Sequence, residues 1–222
     1  DLTKEIIKKK RYRIARPHGV PVRFHDYEGL VTGINLDFVE FHLSYSDLKV
    51  DHTKHLQVTE RLGFSVHCPE LFANDHLLDL TSNDDEYREL SIYHLNDTIK
   101  LTKELKKYFP KQDKPTLIVN VGGWNREGFF SEDKKIKRYK ILTESLKKVD
   151  NEGINFAIQT MPPFPWHFGG QSHHNLFVDP WEINHFCKNN KQVSICLDTS
   201  HSMMACKHFG WDFYDFIDLV AP

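Results

Sequence analysis

Short apolar runs that each end in a polar or ionisable side chain set tight limits on the folds open to this sequence. Val193 to Leu197 ends in Asp198, with His201 three residues further on. Phe64 to Val66 leads into His67 and then Glu70, and Phe156 to Ile158 ends in Gln159. Phe38-Val39 leads into Glu40, and His42 shares the Glu40 face by period-two alternation. A continuous apolar run of this kind is the mark of a strand buried in a parallel sheet. In α/β folds chemistry collects at the C-terminal ends of such strands. Four such ends on successive strands predict a ring of polar groups around the mouth of a barrel.

Strand and helix signals alternate along the sequence. Strands are expected over Gly19 to His25, Leu36 to Leu43, Gly63 to Cys68, Thr116 to Val121, Asn155 to Gln159 and Val193 to Leu197. Helices are expected at Tyr27 to Thr32, Asp85 to Phe109, Ser131 to Val149 and Phe213 to Leu219. Another helix opens at Asp179-Pro180-Trp181-Glu182, where Asp179 caps, Pro180 takes the first turn and Glu182 completes a capping box. Such alternation specifies a parallel sheet with crossover helices. No GxGxxG or GxxxxGK[ST] pattern is present, so a barrel is favoured over an open nucleotide-binding sheet. The fold class is therefore α/β of the (β/α)8 TIM-barrel type. A full barrel takes eight strands and about 250 residues, and this sequence reaches six before Val220-Ala221-Pro222. A truncated barrel is expected over residues 17–222, after a basic arm or linker at residues 1–16. Open first and sixth strands would then call for a partner, either further domains of the same polypeptide or a homo-oligomer.

Composition narrows the function classes. The net charge of −2 gives no drive toward nucleic acid or an anionic membrane. No apolar stretch approaches the ~20 residues of a membrane span. The four cysteines form no CxxC pair, which fits a reduced, cytoplasmic protein. The lysine-rich run around Lys134 to Lys140 lies on an amphipathic helix and reads as its solvated face. Fourteen histidines justify a search for a metal site.

The candidate residues have competing readings. Asp198 and His201 suit a metal ligand, a base or a hydrogen-bond donor to substrate oxygen, but Asp-Thr-Ser is also good N-cap chemistry. His67 and Glu70 flank Pro69, which fixes the chain just beyond its strand. A buried Glu40 at a strand centre would need a partner, and His42 shares its face. The connection after Gln159, from Phe164 to Asn175, is rich in aromatic residues and histidines. Trp166 is placed there as an apolar wall for a sugar ring, and His167, His173 and His174 as contacts to hydroxyls, phosphate or metal. So long a loop without secondary structure reads as a functional lid or a disordered segment. Asn120 and Trp124 follow the TLIVNV strand and add polar contacts. The segment Arg16 to Asp26 suits either an anion site or the barrel floor.

At this point the chain resembles the xylose-isomerase-like (β/α)8 superfamily, which holds sugar isomerases, epimerases and family-2 AP endonucleases. The matching residues are Val39-Glu40-Phe41, Val66-His67-Cys68-Pro69, Ala157-Ile158-Gln159 and Leu197-Asp198-Thr-Ser-His201. The chain also resembles the isomerase-type domain found beside sialic-acid-synthase-like proteins of surface-polysaccharide pathways. The resemblance implies a divalent metal (Mn, Mg, Co or Zn) at the mouth, with Asp198, His67 and His201 as its ligands. It implies Glu40, Asp198 and His201 as catalytic groups, and a small sugar or sugar phosphate as partner, held by His42, Asn120, Trp124, Gln159, Trp166, His167, His173 and His174. Two residues depart from the superfamily pattern. Gln159 stands where a Glu ligand is usual, and Asn120 where the nuclease branch has His. The leading expectation is a sugar or sugar-phosphate isomerase or epimerase. The alternative is a metal-free carbohydrate-binding or regulatory barrel domain, with an abasic-DNA phosphodiesterase third.

Overall fold

Six short strands pair side by side as one parallel sheet in the computed structural model, which describes residues 16–220. The chain runs β1 (Gly19–Val22), α1 (Tyr27–Val31), β2 (Phe38–His42), β3 (Gly63–His67), α2 (Asp85–Leu105) and β4 (Thr116–Val119). It continues through the two-residue β5 (Trp124–Asn125), α3 (Glu132–Leu146) and β6 (Asn155–Gln159). Three more short strands follow, β7 (Trp166–His167), β8 (Gly170–Gln171) and β9 (His173–His174). The last elements are α4 (Pro180–Asn189), β10 (Val193–Cys196), α5 (Thr199–Phe209) and α6 (Phe213–Val220). The sheet order is β1-β2-β3-β4-β6-β10, so sequential main strands are neighbours, as in a barrel. Among the described residues β1 and β10 stand at the two edges, and the sheet is a partial barrel. The expected basic arm lies mostly outside the described residues.

Register explains which residues reach the core. Val22, Phe41, Val66, Leu117, Phe156 and Val193 are successive partners across all six strands. All six are buried. They lie on the outer face and pack beneath helical residues such as Leu95, Ile99, Leu142 and Ile183. Side chains alternate faces along a strand, so the concave face carries the other set. One row there is Pro21, Glu40, Ser65, Thr116 and Asn155, and the next is His42, His67, Ile118, Ala157 and Ser194. These residues are mostly small or polar, unlike the bulky branched layers that usually fill a closed barrel.

The helix signals hold with shorter ends. The Asp84 carboxylate accepts the Tyr87 amide at 3.1 Å and starts α2, whose buried stripe is Ile92, Leu95, Ile99 and Leu105. Asp179 caps α4 by accepting the Trp181 and Glu182 amides at 2.8 and 3.3 Å. Glu182 does not complete a capping box. It reaches across to α3, where Lys135 donates at 2.8 Å and the Tyr139 hydroxyl at 3.2 Å. A lysine ammonium is the stronger partner for a half-buried carboxylate. The connection after Gln159 is also more ordered than expected. β7 and β8 form a small hairpin, and β9 pairs antiparallel with β5.

Beyond β4 the chain turns at Gly122, whose φ is +93°. A Cβ there would sit 2.2 Å from Asp79 Oδ1 and 2.5 Å from the Asp79 Cα. Asp79 is itself pinned, accepting the Thr81 amide at 2.9 Å and the Gly123 amide at 3.2 Å. Gly122→Ala therefore combines a strained φ with a backbone clash, and is expected to cost roughly 2–4 kcal/mol. The urea midpoint of the variant measures this, and an unchanged midpoint would contradict the packing described.

Candidate functional site

The ends of β2, β3, β6 and β10 bring their polar residues into one hydrogen-bonded line. Asp198 follows β10 and caps α5, its Oδ1 accepting the His201 amide at 2.9 Å. Capping uses only one carboxylate oxygen. The other, Oδ2, accepts from Gln159 Nε2 at 3.0 Å. Gln159 Oε1 in turn lies 3.0 Å from His67 Nε2, and His67 Nδ1 lies 3.0 Å from the Cys68 carbonyl. His42 stacks on His67 with ring centroids 4.3 Å apart, and its Nδ1 lies 3.1 Å from Glu40 Oε1. His67 and Gln159 are buried, whereas Asp198 and His201 keep about a quarter of their side-chain surface exposed.

Two adjoining cavities of about 420 and 450 Å³ open on this line, and both are lined by His42, His67, Gln159 and Asp198. Glu70, Arg23 and His201 line the first, and Glu40 and Cys196 the second. Arg23 is paired with Asp47. Burial works against the Asp47 carboxylate, but hydrogen bonds from Ser44 and Arg23 bring it below the ordinary range. Burial pushes the Cys68 thiol up to about 12 and Cys196 up to about 11. Neither cysteine supplies a thiolate nucleophile at neutral pH.

Thr160 carries no signal in the sequence, yet it is central here. Its hydroxyl accepts the Asp198 amide at 2.9 Å, and its carbonyl lies 3.0 Å from His201 Nδ1. One residue thus orients both members of the Asp198–His201 pair. Its role depends on where β6 and β10 end relative to each other, which no local pattern encodes. Arg23 is legible only as part of a basic segment.

The other expected residues divide. Asn120 is buried beside the mouth, donating to Glu70 Oε1 at 3.3 Å and accepting the Gly122 amide at 3.1 Å. Trp124 and His174 are partners across β5 and β9. His174 is 1% exposed, and neither of its ring nitrogens has a partner among the described residues. Burial, with His167 and then His201 nearby, holds its pKa down at about 3. Trp124 Nε1 and His167 Nε2 are also buried without partners among the described residues. Trp166 does not form a wall of the mouth. It sits on the β7–β8 hairpin, 72% exposed, because two-residue strands leave no sheet to cover it. His173 packs edge-on against Phe129 and Phe164, at 4.9 and 5.5 Å, and lines neither cavity. An apolar groove of about 430 Å³ between α3 and α4 lies on the outer side and shares no residue with the mouth.

The expected metal set of Asp198, His67 and His201 does not form a cage. Among the described residues no three His, Cys, Asp or Glu groups stand where one ion would contact them all. Gln159 separates His67 from Asp198, and His201 Nδ1 is turned to a backbone carbonyl.

Comparison with known proteins agrees with this architecture. No curated protein matches the chain by sequence. Among solved structures, a D-tagatose 3-epimerase-like protein superposes with a TM-score of 0.57 at 17% identity, covering 92% of this chain and 71% of its own. A D-psicose 3-epimerase solved with D-fructose gives 0.59 at 15% identity, covering 93% of this chain and 70% of its own. D-Psicose 3-epimerase from Clostridium cellulolyticum H10, solved with D-tagatose, gives 0.55 at 15% identity, covering 85% and 65%. At these identities the likeness is one of fold. The sequence pattern described as Xylose isomerase-like TIM barrel matches residues 30–221. With six parallel strands in barrel order and that match over most of its length, the chain belongs to the xylose isomerase-like TIM barrel family.

Proposed function

We propose that this protein is a sugar or sugar-phosphate isomerase or epimerase that works at the mouth of its partial barrel. The observation that carries the reading is the convergence of two carboxylates, Glu40 and Asp198, and three imidazoles, His42, His67 and His201, on adjoining cavities. The fold likeness to sugar 3-epimerases supports it.

The chemistry needs a base near a carbon next to a carbonyl and a proton donor near the carbonyl oxygen. Glu40, oriented by His42, takes the carbon-bound proton. The C–H electron pair becomes the C=C bond of an enediol, and the carbonyl oxygen takes a proton from an imidazole. Return of a proton to the opposite face of the same carbon epimerises it. Return to the neighbouring carbon, with the carbonyl reforming one position along, isomerises the sugar. Asn120 and Gln159 hold hydroxyls, with Trp124, His167 and His174 behind them. No described helix is long and apolar enough to cross a membrane. The resemblance to domains beside sialic-acid-synthase-like proteins supports a role in surface-polysaccharide sugar metabolism in the cytoplasm. Further domains or a second copy would cover the open sheet edges.

The test is incubation of the full chain with a panel of ketoses, aldoses and their phosphates in D2O, followed by NMR. Deuterium should appear at the carbon beside the carbonyl of one substrate. Glu40→Gln should slow its uptake about 100-fold or more, the usual loss for a general base. Absence of exchange across the panel would sink the reading. One observation favours a second reading, carbohydrate binding without turnover: the uncharged Gln159 at the centre of the mouth. Calorimetric sugar binding without deuterium uptake would select it.

A further inference from the structure

The hydrogen bonds at the mouth determine one another. The Cys68 carbonyl can only accept, so His67 Nδ1 donates to it at 3.0 Å. The Asp198 carboxylate can only accept, so Gln159 turns its amide nitrogen that way, at 3.0 Å. The Gln159 carbonyl oxygen is therefore the atom that meets His67 Nε2, at 3.0 Å. The flipped amide would set one oxygen against another at Asp198. Both His67 ring nitrogens are thus engaged, and Gln159 stands as a neutral bridge between the ring and the carboxylate. His67 and Gln159 are both buried, where a completed chain of hydrogen bonds is strongest and an incomplete one most costly.

We infer that the His67–Gln159–Asp198 line takes the place of a divalent cation at the mouth, so that this site holds its ligand without a metal ion. Each group that a cation would need is already engaged. Both His67 ring nitrogens have partners. Gln159 contributes no charge, and its oxygen is occupied. Asp198 accepts from Gln159 through one oxygen and from the His201 amide through the other. Glu40 faces His42. The inference rests on the proposed function only for the identity of the ligand, because its test is read without substrate.

The test is titration of Mn²⁺ alone into the metal-stripped full chain, followed by calorimetry and by the EPR signal of free Mn²⁺. The wild type should show no saturable uptake. Gln159→Glu replaces an amide donor by an acceptor, adds a second carboxylate beside Asp198 and frees His67 Nε2 to turn its lone pair to an ion. It should bind one Mn²⁺ at least about 100-fold more tightly, since hard divalent ions are selected by anionic oxygen ligands. Stoichiometric micromolar binding by the wild type would overturn the inference. So would a folded Gln159→Glu that takes up no Mn²⁺, because Gln159 would then not be what excludes the ion. If Gln159→Glu fails to fold, the wild-type titration still decides. Failure of the sugar-exchange assay leaves the metal result unchanged, so the two readings fail separately.

Discussion

Asp198→Asn should lower turnover by about 100-fold, the scale of loss when reacting groups are displaced by about an ångström, while the protein stays folded. The two effects separate because Asp198 has two duties. As the N-cap of α5 it needs only one accepting oxygen, and Asn caps nearly as well as Asp. As the end of the line from His67 it needs a second accepting oxygen. An Asn that caps through its oxygen turns its NH2 toward the Gln159 amide nitrogen, donor against donor, and breaks the line. Steady-state rates on whichever sugar exchanges deuterium, together with a urea melt, measure both duties. Unchanged turnover in the Asp198→Asn protein would remove Asp198 from the chemistry and leave it a helix cap.

Mild acid should destabilise this protein before most of its carboxylates titrate. The His174 pKa is about 3 in the folded chain against about 6.5 when unfolded. Between those values the unfolded chain binds a proton that the folded chain refuses. Stability is therefore full above pH ~6.5 and falls as pH drops toward 3, by a total on the order of 5 kcal/mol for this one group. Burial also lowers the pKa of His52, His76 and His94, which adds to the same slope. Asp79 and Glu182, raised by burial, work in the opposite direction. Across the window from pH ~7 to ~4.5 the lowered carboxylates Asp47, Asp51 and Asp150 stay ionised, so the slope there is that of the histidines less the opposing part from Asp79 and Glu182. Urea midpoints across that window should fall steeply in the wild type and less so in His174→Leu. A flat profile would show that the His174 ring gains a partner in solution.

The fold was legible because apolar runs of four or five residues admit few alternatives. Val193 to Leu197 reads as a buried strand, and although it proves a half-exposed edge strand in the structure, its end does present Asp198. The same reasoning placed His67 and Gln159 on one rim. It could not show that Gln159 bridges them, because that depends on side-chain reach across neighbouring strands. Thr160 escaped for a related reason: period-two alternation turns it away from Gln159, and only the backbone of the next strand makes it useful. Trp166 and His173 were misplaced because strands of two residues carry no periodicity. With β7, β8 and β9 unread, the loop looked structureless, and its aromatic residues were assigned to the mouth instead of to a hairpin and a satellite cluster. Glu182 looked like a capping residue because sequence shows what lies three positions away, not the lysine on a neighbouring helix.

The concave row of Pro21, Glu40, Ser65, Thr116 and Asn155 gives this protein an unusual division of labour. Folding free energy comes from the opposite face of the same strands, where Val22, Phe41, Val66, Leu117, Phe156 and Val193 meet the helices. The inner row contributes little apolar burial, so its side chains are free to change with little loss of stability. Odd and even positions along one strand thus answer to separate demands, one for holding the chain together and one for shaping what enters. A library confined to inner positions that reach the cavities, such as Pro21 and His42, would explore new ligand shapes on a scaffold whose melting point hardly moves. The same number of changes on the outer face would lose the scaffold first.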